Sequence, residues 1–201
     1  MTSQYFDEQP TSSDRRRVIT ATVFGRRLDF TTSSGTFSPD RLDKATQVLL
    51  GEVEPPTGEK TLLDLGCGWG PIAVGLALAA PDATVWAVDV NERARELTAL
   101  NASRHRARVN VAAPESVPGN VRFDEIWSNP PIRIGKDGLH VLLATWLPRL
   151  QLDGRAYLVV GKNLGADSLQ RWLTESGWPA ERIASSAGFR VLRVSARPAE
   201  D

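Results

Sequence analysis

The chain has 201 residues, with 24 Lys+Arg balanced by 24 Asp+Glu and a formal net charge of zero. That length supports one domain with a sizeable core and excludes the need for covalent staples; the charge balance argues against a general polyanion binder, though not against a local basic patch. A single cysteine, Cys67, excludes an internal disulfide and fits a reducing compartment, and the polar start and lack of a long apolar run predict a cytoplasmic protein with no membrane span. There is no Cys/His cluster of metal-site spacing, so no metal is expected.

Met1–Arg17 is polar. Val18–Phe24 and Leu28–Thr32 are β-branched runs joined by Gly25-Arg26-Arg27, which predicts a hairpin. Five arginines, Arg15, Arg16, Arg17, Arg26 and Arg27, fall in this stretch. They read either as a phosphate-contacting patch or as a solvated hairpin surface, and the sequence leaves both open. Ser38-Pro39-Asp40 is expected to start a helix with Pro39 in its first turn; Leu42, Ala45, Val48 and Leu49 then recur at helical spacing up to Val53. Glu54–Gly58 is a break. The expected organisation is an N-terminal hairpin-plus-helix extension, residues 1–56, laid onto an α/β domain at 57–201.

That domain is centred on Thr61–Pro71, TLLDLGCGWGP. A short apolar strand, Thr61–Leu65, runs into three glycines, Gly66, Gly68 and Gly70, and Pro71 opens an Ala/Leu-rich helix over Ile72–Ala80. Glycines let a ligand lie directly on the backbone, and the helix presents N–H groups towards it. A second strand, Thr84–Val88, ends in Asp89, where a carboxylate can accept from both hydroxyls of a ribose. Cys67 lies within the turn and reads as a small filler, since neither His105 nor His140 is near it in sequence.

The alternation continues. Asn91–Ser103 is predicted as a helix with Asn91 as N-cap, Arg108–Ala112 as a strand, Phe123–Ser128 as a strand and Lys136–Leu150 as a helix ended by Asp153-Gly154. Ala156–Val160 is a strongly apolar, central strand; Ala166–Ser176 is a helix closed by Gly177. Arg182–Ser186 and Phe189–Ala196, joined by Ala187-Gly188, are spaced for an antiparallel hairpin. The predicted fold is α/β: a Rossmann-like, doubly wound, seven-stranded, mostly parallel sheet ending in an antiparallel hairpin. Its ligand belongs at the carboxyl ends of the strands, where Gly66–Gly70, Asp89, Glu115 and Ser128–Pro131 fall.

The strongest chemical signal is Asn129-Pro130-Pro131-Ile132 at the end of the fourth sheet strand. A side-chain amide beside two prolines offers an amide oxygen and a rigidly aimed carbonyl, two acceptors that suit a planar NH2 group. The string Asp64-x-Gly66-x-Gly68-x-Gly70, then Asp89–Ala94, then Ser128–Lys136 resembles the small-domain (MTS) class I S-adenosylmethionine (SAM) methyltransferases, which include ribosomal small-subunit RNA guanine-N2 methyltransferases. Tyr5-Phe6, Gln9-Pro10 and Gly35–Ser38 are also similar to that family's lead-in, and the resemblance covers residues 4–195. It implies SAM as cofactor, with Asp64, Gly66, Cys67, Gly68, Asp89, Val90, Glu115 and Asn129 around it. It implies Asn129, Pro130 and Pro131 as the clamp on the target amine, and ribosomal RNA or the small ribosomal subunit as partner. A protein glutamine or small amine is the alternative acceptor. Two departures stand out: Ile132 replaces the family's aromatic residue, so base stacking has to come from elsewhere, and the extra N-terminal domain of the longer enzymes is missing.

Overall fold

The structure, a computed structural model, describes residues 14–131 and 134–197. The predictions at Tyr5–Pro10, Ile132 and Arg133 lie outside those residues. Strands β1 (Arg16–Val23) and β2 (Arg26–Ser33) pair antiparallel, with Arg16 opposite Ser33 and Val23 opposite Arg26. The turn is only Phe24-Gly25, both at positive φ (44° and 74°). Arg26 and Arg27 therefore belong to β2, not to the turn.

Helix α1 covers Lys44–Glu52. It does not begin at Ser38-Pro39-Asp40, which forms a separate turn in which Ser38 Oγ donates to Arg41 O at 2.8 Å. The N-cap is Asp43, whose side chain accepts from Ala45 N–H (2.8 Å) and Thr46 N–H (3.4 Å).

From Thr61 onward strands and helices alternate: β3 Thr61–Leu65, α2 Pro71–Ala79, β4 Thr84–Val88, α3 Glu92–Arg104, β5 Val109–Ala112, β6 Phe123–Ser128, α4 Gly135–Trp146, β7 Leu150–Gly161, α5 Ala166–Glu175, β8 Ala180–Ser186 and β9 Phe189–Ser195. Asn91 caps α3 by accepting from Ala94 N–H at 3.1 Å. Helix α4 is shorter than predicted. Pro148 has no N–H with which to continue it, and Leu147–Arg149 tightens into a 3-10 turn. Leu150 then opens β7 opposite Phe123, so Asp153-Gly154 lies inside a bulged strand and does not end a helix.

The sheet order is β5-β4-β3-β6-β7-β9-β8. Strands β5, β4, β3, β6 and β7 are parallel, while β9 runs antiparallel to both β7 and β8. The order reverses between β3 and β4 on one side and β6 on the other, so the carboxyl ends of β3, β4 and β6 face one crevice.

Alternate strand residues serve two cores. Leu62, Val85, Trp127, Tyr157 and Val191 point to one face and pack with α1, α2, α3 and the hairpin. Leu63, Val88, Ile126, Leu158 and Leu192 point to the other and pack with α4 and α5. The hairpin joins the first core through a close approach: Phe24 meets Trp127 edge-on at 5.7 Å, and a Cβ on Gly75 of α2 would collide with Val23. At an open helix position Gly→Ala stabilises by about 1 kcal/mol. Here Gly75→Ala is expected to destabilise by about 1–3 kcal/mol through overpacking. Urea unfolding measures this, and a more stable variant would contradict the packing.

Candidate active site

The turn after β3 is shaped by its own backbone bonds. Gly66 N–H and Cys67 N–H both donate to Val88 O, at 2.8 and 3.0 Å, which ties the turn to the end of β4. Gly66 and Gly68 take φ of 81° and 57°, and nothing lies within 4 Å of where a Cβ would stand on either. That combination needs glycine for conformation and leaves open space directly on the main chain.

The turn does not present a row of free N–H groups. Gly68 N–H donates to Asp89 Oδ2 at 2.9 Å, and Ala73 N–H in the first turn of α2 donates to Asp64 Oδ2 at 2.9 Å. The two carboxylates thus brace the loop and the first turn of α2. Asp89 Oδ1 also accepts from Asn91 N–H at 2.9 Å. Each Asp89 oxygen keeps a further lone pair for a ligand. Burial pushes the Asp89 carboxyl up, opposed by the Asn91 and Gly68 N–H groups.

Asp64 is the more unusual group. It is 1% exposed, and among the described residues its Oδ1 is buried with no hydrogen-bond partner. Burial, with Asp89 nearby, raises its pKa to about 8 despite the Ala73 N–H bond. An oxygen so placed has room in its bonding for one more donor, from water or from a bound N–H group.

Cys67 is buried, and burial pushes its thiol well above the usual range. Its sulfur accepts from Thr98 Oγ1 at 3.4 Å, so it fills volume under the loop and is no thiolate nucleophile. Val90 is exposed at the end of β4, and Arg95 Nη1 donates to the carbonyls of Asp89 and Val90. Glu115 is exposed in the 3-10 turn Pro114–Ser116 after β5. Ala113 and Ser116 of that segment line an open groove of about 670 Å³ with Trp86, Arg95 and Asn110.

Ser128 Oγ donates to Leu65 O at 2.6 Å, locking the end of β6 to the end of β3. Asn129 and the buried Pro130 therefore stand directly beside the glycine turn. The Asn129 amide nitrogen donates to Asp43 Oδ2 at 2.9 Å and to Thr46 Oγ1 at 3.1 Å. Asp43 and Thr46 were missed in the sequence; only the periodicity beginning at Leu42 hinted that a cap stood there.

The segment between β2 and α1 passes over this site. Trp69 Nε1 donates to Phe37 O (3.1 Å) and Ser38 O (3.3 Å), and Asn91 Nδ2 donates to Gly35 O (3.2 Å). Phe37 itself stays 48% exposed. Below it, buried Asn101 bridges Thr31 N–H, Thr31 O and Trp69 O.

The arginines do not form one patch. Arg16 pairs with Asp14 at 2.9 Å and Glu96 at 3.6 Å, and Arg17 pairs with Asp40, at the open end of the hairpin near the site. Arg26 lies at the other end, about 24 Å along the strand at ~3.4 Å per residue, in a groove with Pro55, Pro56 and Leu78.

The profile of the methyltransferase small domain family (MTS) matches residues 27–193. "Uncharacterized protein YbxB" of Bacillus subtilis is 31% identical over 199 residues, covering 96% of this chain and 98% of that protein. Ribosomal RNA small subunit methyltransferase C of Klebsiella pneumoniae is 39% identical over 177 residues, 83% of this chain but 49% of its own, so the chain spans about half the length of that relative. Among solved structures, the T. thermophilus 16S rRNA N2 methyltransferase RsmC, in complex with AdoMet and guanosine, superposes with a TM-score of 0.80 at 23% identity, over 94% of this chain and 52% of that one.

Proposed function

Because the chain belongs to the methyltransferase small domain family of SAM-dependent enzymes, we propose that it methylates an exocyclic amino nitrogen, with guanine N2 of ribosomal RNA as the acceptor. The observation that carries this reading is the Ser128–Leu65 bond, which sets Asn129-Pro130 against the glycine turn. The names of the ribosomal RNA relatives support the choice of acceptor.

The residues around the turn fit SAM. Gly66 and Gly68 offer bare backbone, Asp64 Oδ1 offers an unsatisfied acceptor for the methionine ammonium, and Asp89 has lone pairs for the ribose. When bound, SAM would supply an electrophilic sulfonium methyl, the N–CH3 bond forming as the S–CH3 bond breaks and neutral S-adenosylhomocysteine leaves. The Asn129 side-chain oxygen and the Pro130 carbonyl accept the two amino hydrogens, which aims the nitrogen lone pair, and one of those protons is released to water. Positioning supplies most of the acceleration. In this reading residues 57–201 form the methyltransferase domain, and residues 1–56 are an extension whose loop and helix roof the site.

Phe37 supplies the aromatic face that Ile132 lacks. Its backbone is fixed by Trp69 while the residue stays exposed. A stacked base contributes about 1–3 kcal/mol. Phe37→Ala is therefore expected to raise the KM for RNA about tenfold, with SAM affinity unchanged; an unaltered KM removes Phe37 from the substrate site.

Tritium transfer from labelled SAM into undermodified ribosomal subunits tests the function, with RNA and protein separated afterwards. Label in RNA is expected. Label in protein selects the glutamine reading, and label in neither overturns the ribosomal assignment.

A further inference from the structure

We propose that Asp43 and Thr46 are positioning residues that set the direction and polarity of the Asn129 amide, given Asn129 as the acceptor for the substrate amine as read above. An asparagine amide turned through 180° has nearly the same shape, so shape alone does not fix which end faces a substrate. Asp43 settles the direction chemically. A carboxylate only accepts, so the amide must give it the NH2 end, and the two atoms stand 2.9 Å apart. Thr46 Oγ1 takes the other hydrogen at 3.1 Å. With both N–H groups committed to α1, the amide oxygen points away from that helix and is left to accept from an amino group. The reversed amide would set its own NH2 against the substrate's, donor facing donor.

Asp43 is itself held. The same Oδ2 accepts from Ala45 N–H and Thr46 N–H as the cap of α1, and Thr46 is 5% exposed. The helix cap and the amine clamp are thus one structure, although Asp43 and Asn129 lie 86 positions apart in the chain. The carboxylate also acts on charge. A hydrogen bond from the amide to an anion pushes electron density towards the amide oxygen and strengthens it as an acceptor. As the attacking nitrogen gains positive charge, the fixed negative charge of Asp43 stands behind the amide that holds it.

Kinetics on exchanged pairs tests this. Asp43→Asn keeps the oxygen that caps α1 and faces the Asn129 NH2 but removes the negative charge behind it. It is expected to lower kcat about tenfold or more, with SAM affinity and melting temperature close to wild type. Thr46→Val is expected to lower kcat less, and Thr46→Ser to restore it. Asn129→Asp sets two carboxylates against each other and is expected to be inactive at neutral pH. Adding Asp43→Asn to it removes one of the two facing negative charges, so the double variant is expected to exceed Asn129→Asp alone. Wild-type kcat in Asp43→Asn, or a double variant no better than Asn129→Asp, overturns the proposal.

A second readout needs no substrate. In the 15N-labelled protein the Asn129 NH2 signals, identified by their loss in Asn129→Ala, are expected to exchange slowly with water and to move in Asp43→Asn. Signals with the position and exchange rate of an exposed amide overturn the proposal. Wild-type protein that leaves ribosomal RNA unlabelled counts against the acceptor reading, while the amide signals still decide this one.

Discussion

Asn129→Ala is expected to lower the methyl-transfer rate by about 10²-fold or more while leaving SAM affinity within a few-fold of wild type. The asymmetry follows from where the side chain is bonded. Asn129 holds on to α1 through Asp43 and Thr46, whereas the glycine turn is braced by Asp64, Asp89 and Val88. Removing the amide leaves those braces intact. What is lost is the acceptor that orients the amino nitrogen, which matters during attack and little before it. Single-turnover transfer with labelled SAM, beside equilibrium SAM binding, separates the two quantities. Equal losses in both would place Asn129 in the cofactor site and overturn the amine-clamp role.

The parts of this site that lie on consecutive residues could be read before the structure. The strand, glycine turn and helix from Thr61 to Ala79 follow from local pattern, because buried parallel strands are short apolar runs and the turn's positive φ values favour glycine. Asn129-Pro130-Pro131 was legible for the same reason. The misread positions depend on distant partners. The start of α1 was placed too early because Pro39 and Asp40 have the composition of a helix start, while Ser38 closes a turn onto Arg41 O and gives its carbonyl to Trp69, 31 positions away. Leu150 was given to a helix because its apolarity suits helix and strand alike; Pro148 and pairing with Phe123 decide for the strand. The arginine cluster looked like one patch in sequence, yet an extended hairpin carries its members to opposite ends. The unsatisfied oxygen of Asp64 is a property of packing that composition does not encode.

That oxygen yields the second large effect, in pH. Asp64 has its pKa raised to about 8 in the free protein, first by burial and then by Asp89, with the Ala73 N–H opposing. Its unfolded-state value is near 3.8. Between those limits the native state holds the extra proton, so Asp64 makes stability fall as pH rises from about 4 to about 8, with no further change above. An ammonium group at Oδ1 favours the ionised form, so SAM binding is expected to release a proton below pH 8. Affinity should therefore rise by up to about tenfold per unit from pH 6 towards 8. Calorimetric titration in two buffers of different ionisation enthalpy reads the proton release directly. Asp64→Asn is expected to weaken SAM binding by about tenfold or more, to abolish the release, and to remove the Asp64-dependent part of the stability decline. The braces on Gly68 and Asn91 from Asp89 are untouched by that change, so the loop keeps its shape and the loss reports on the single oxygen. Wild-type affinity that stays flat from pH 6 to 8, with no proton released, would show that the ligand ammonium finds its partner elsewhere.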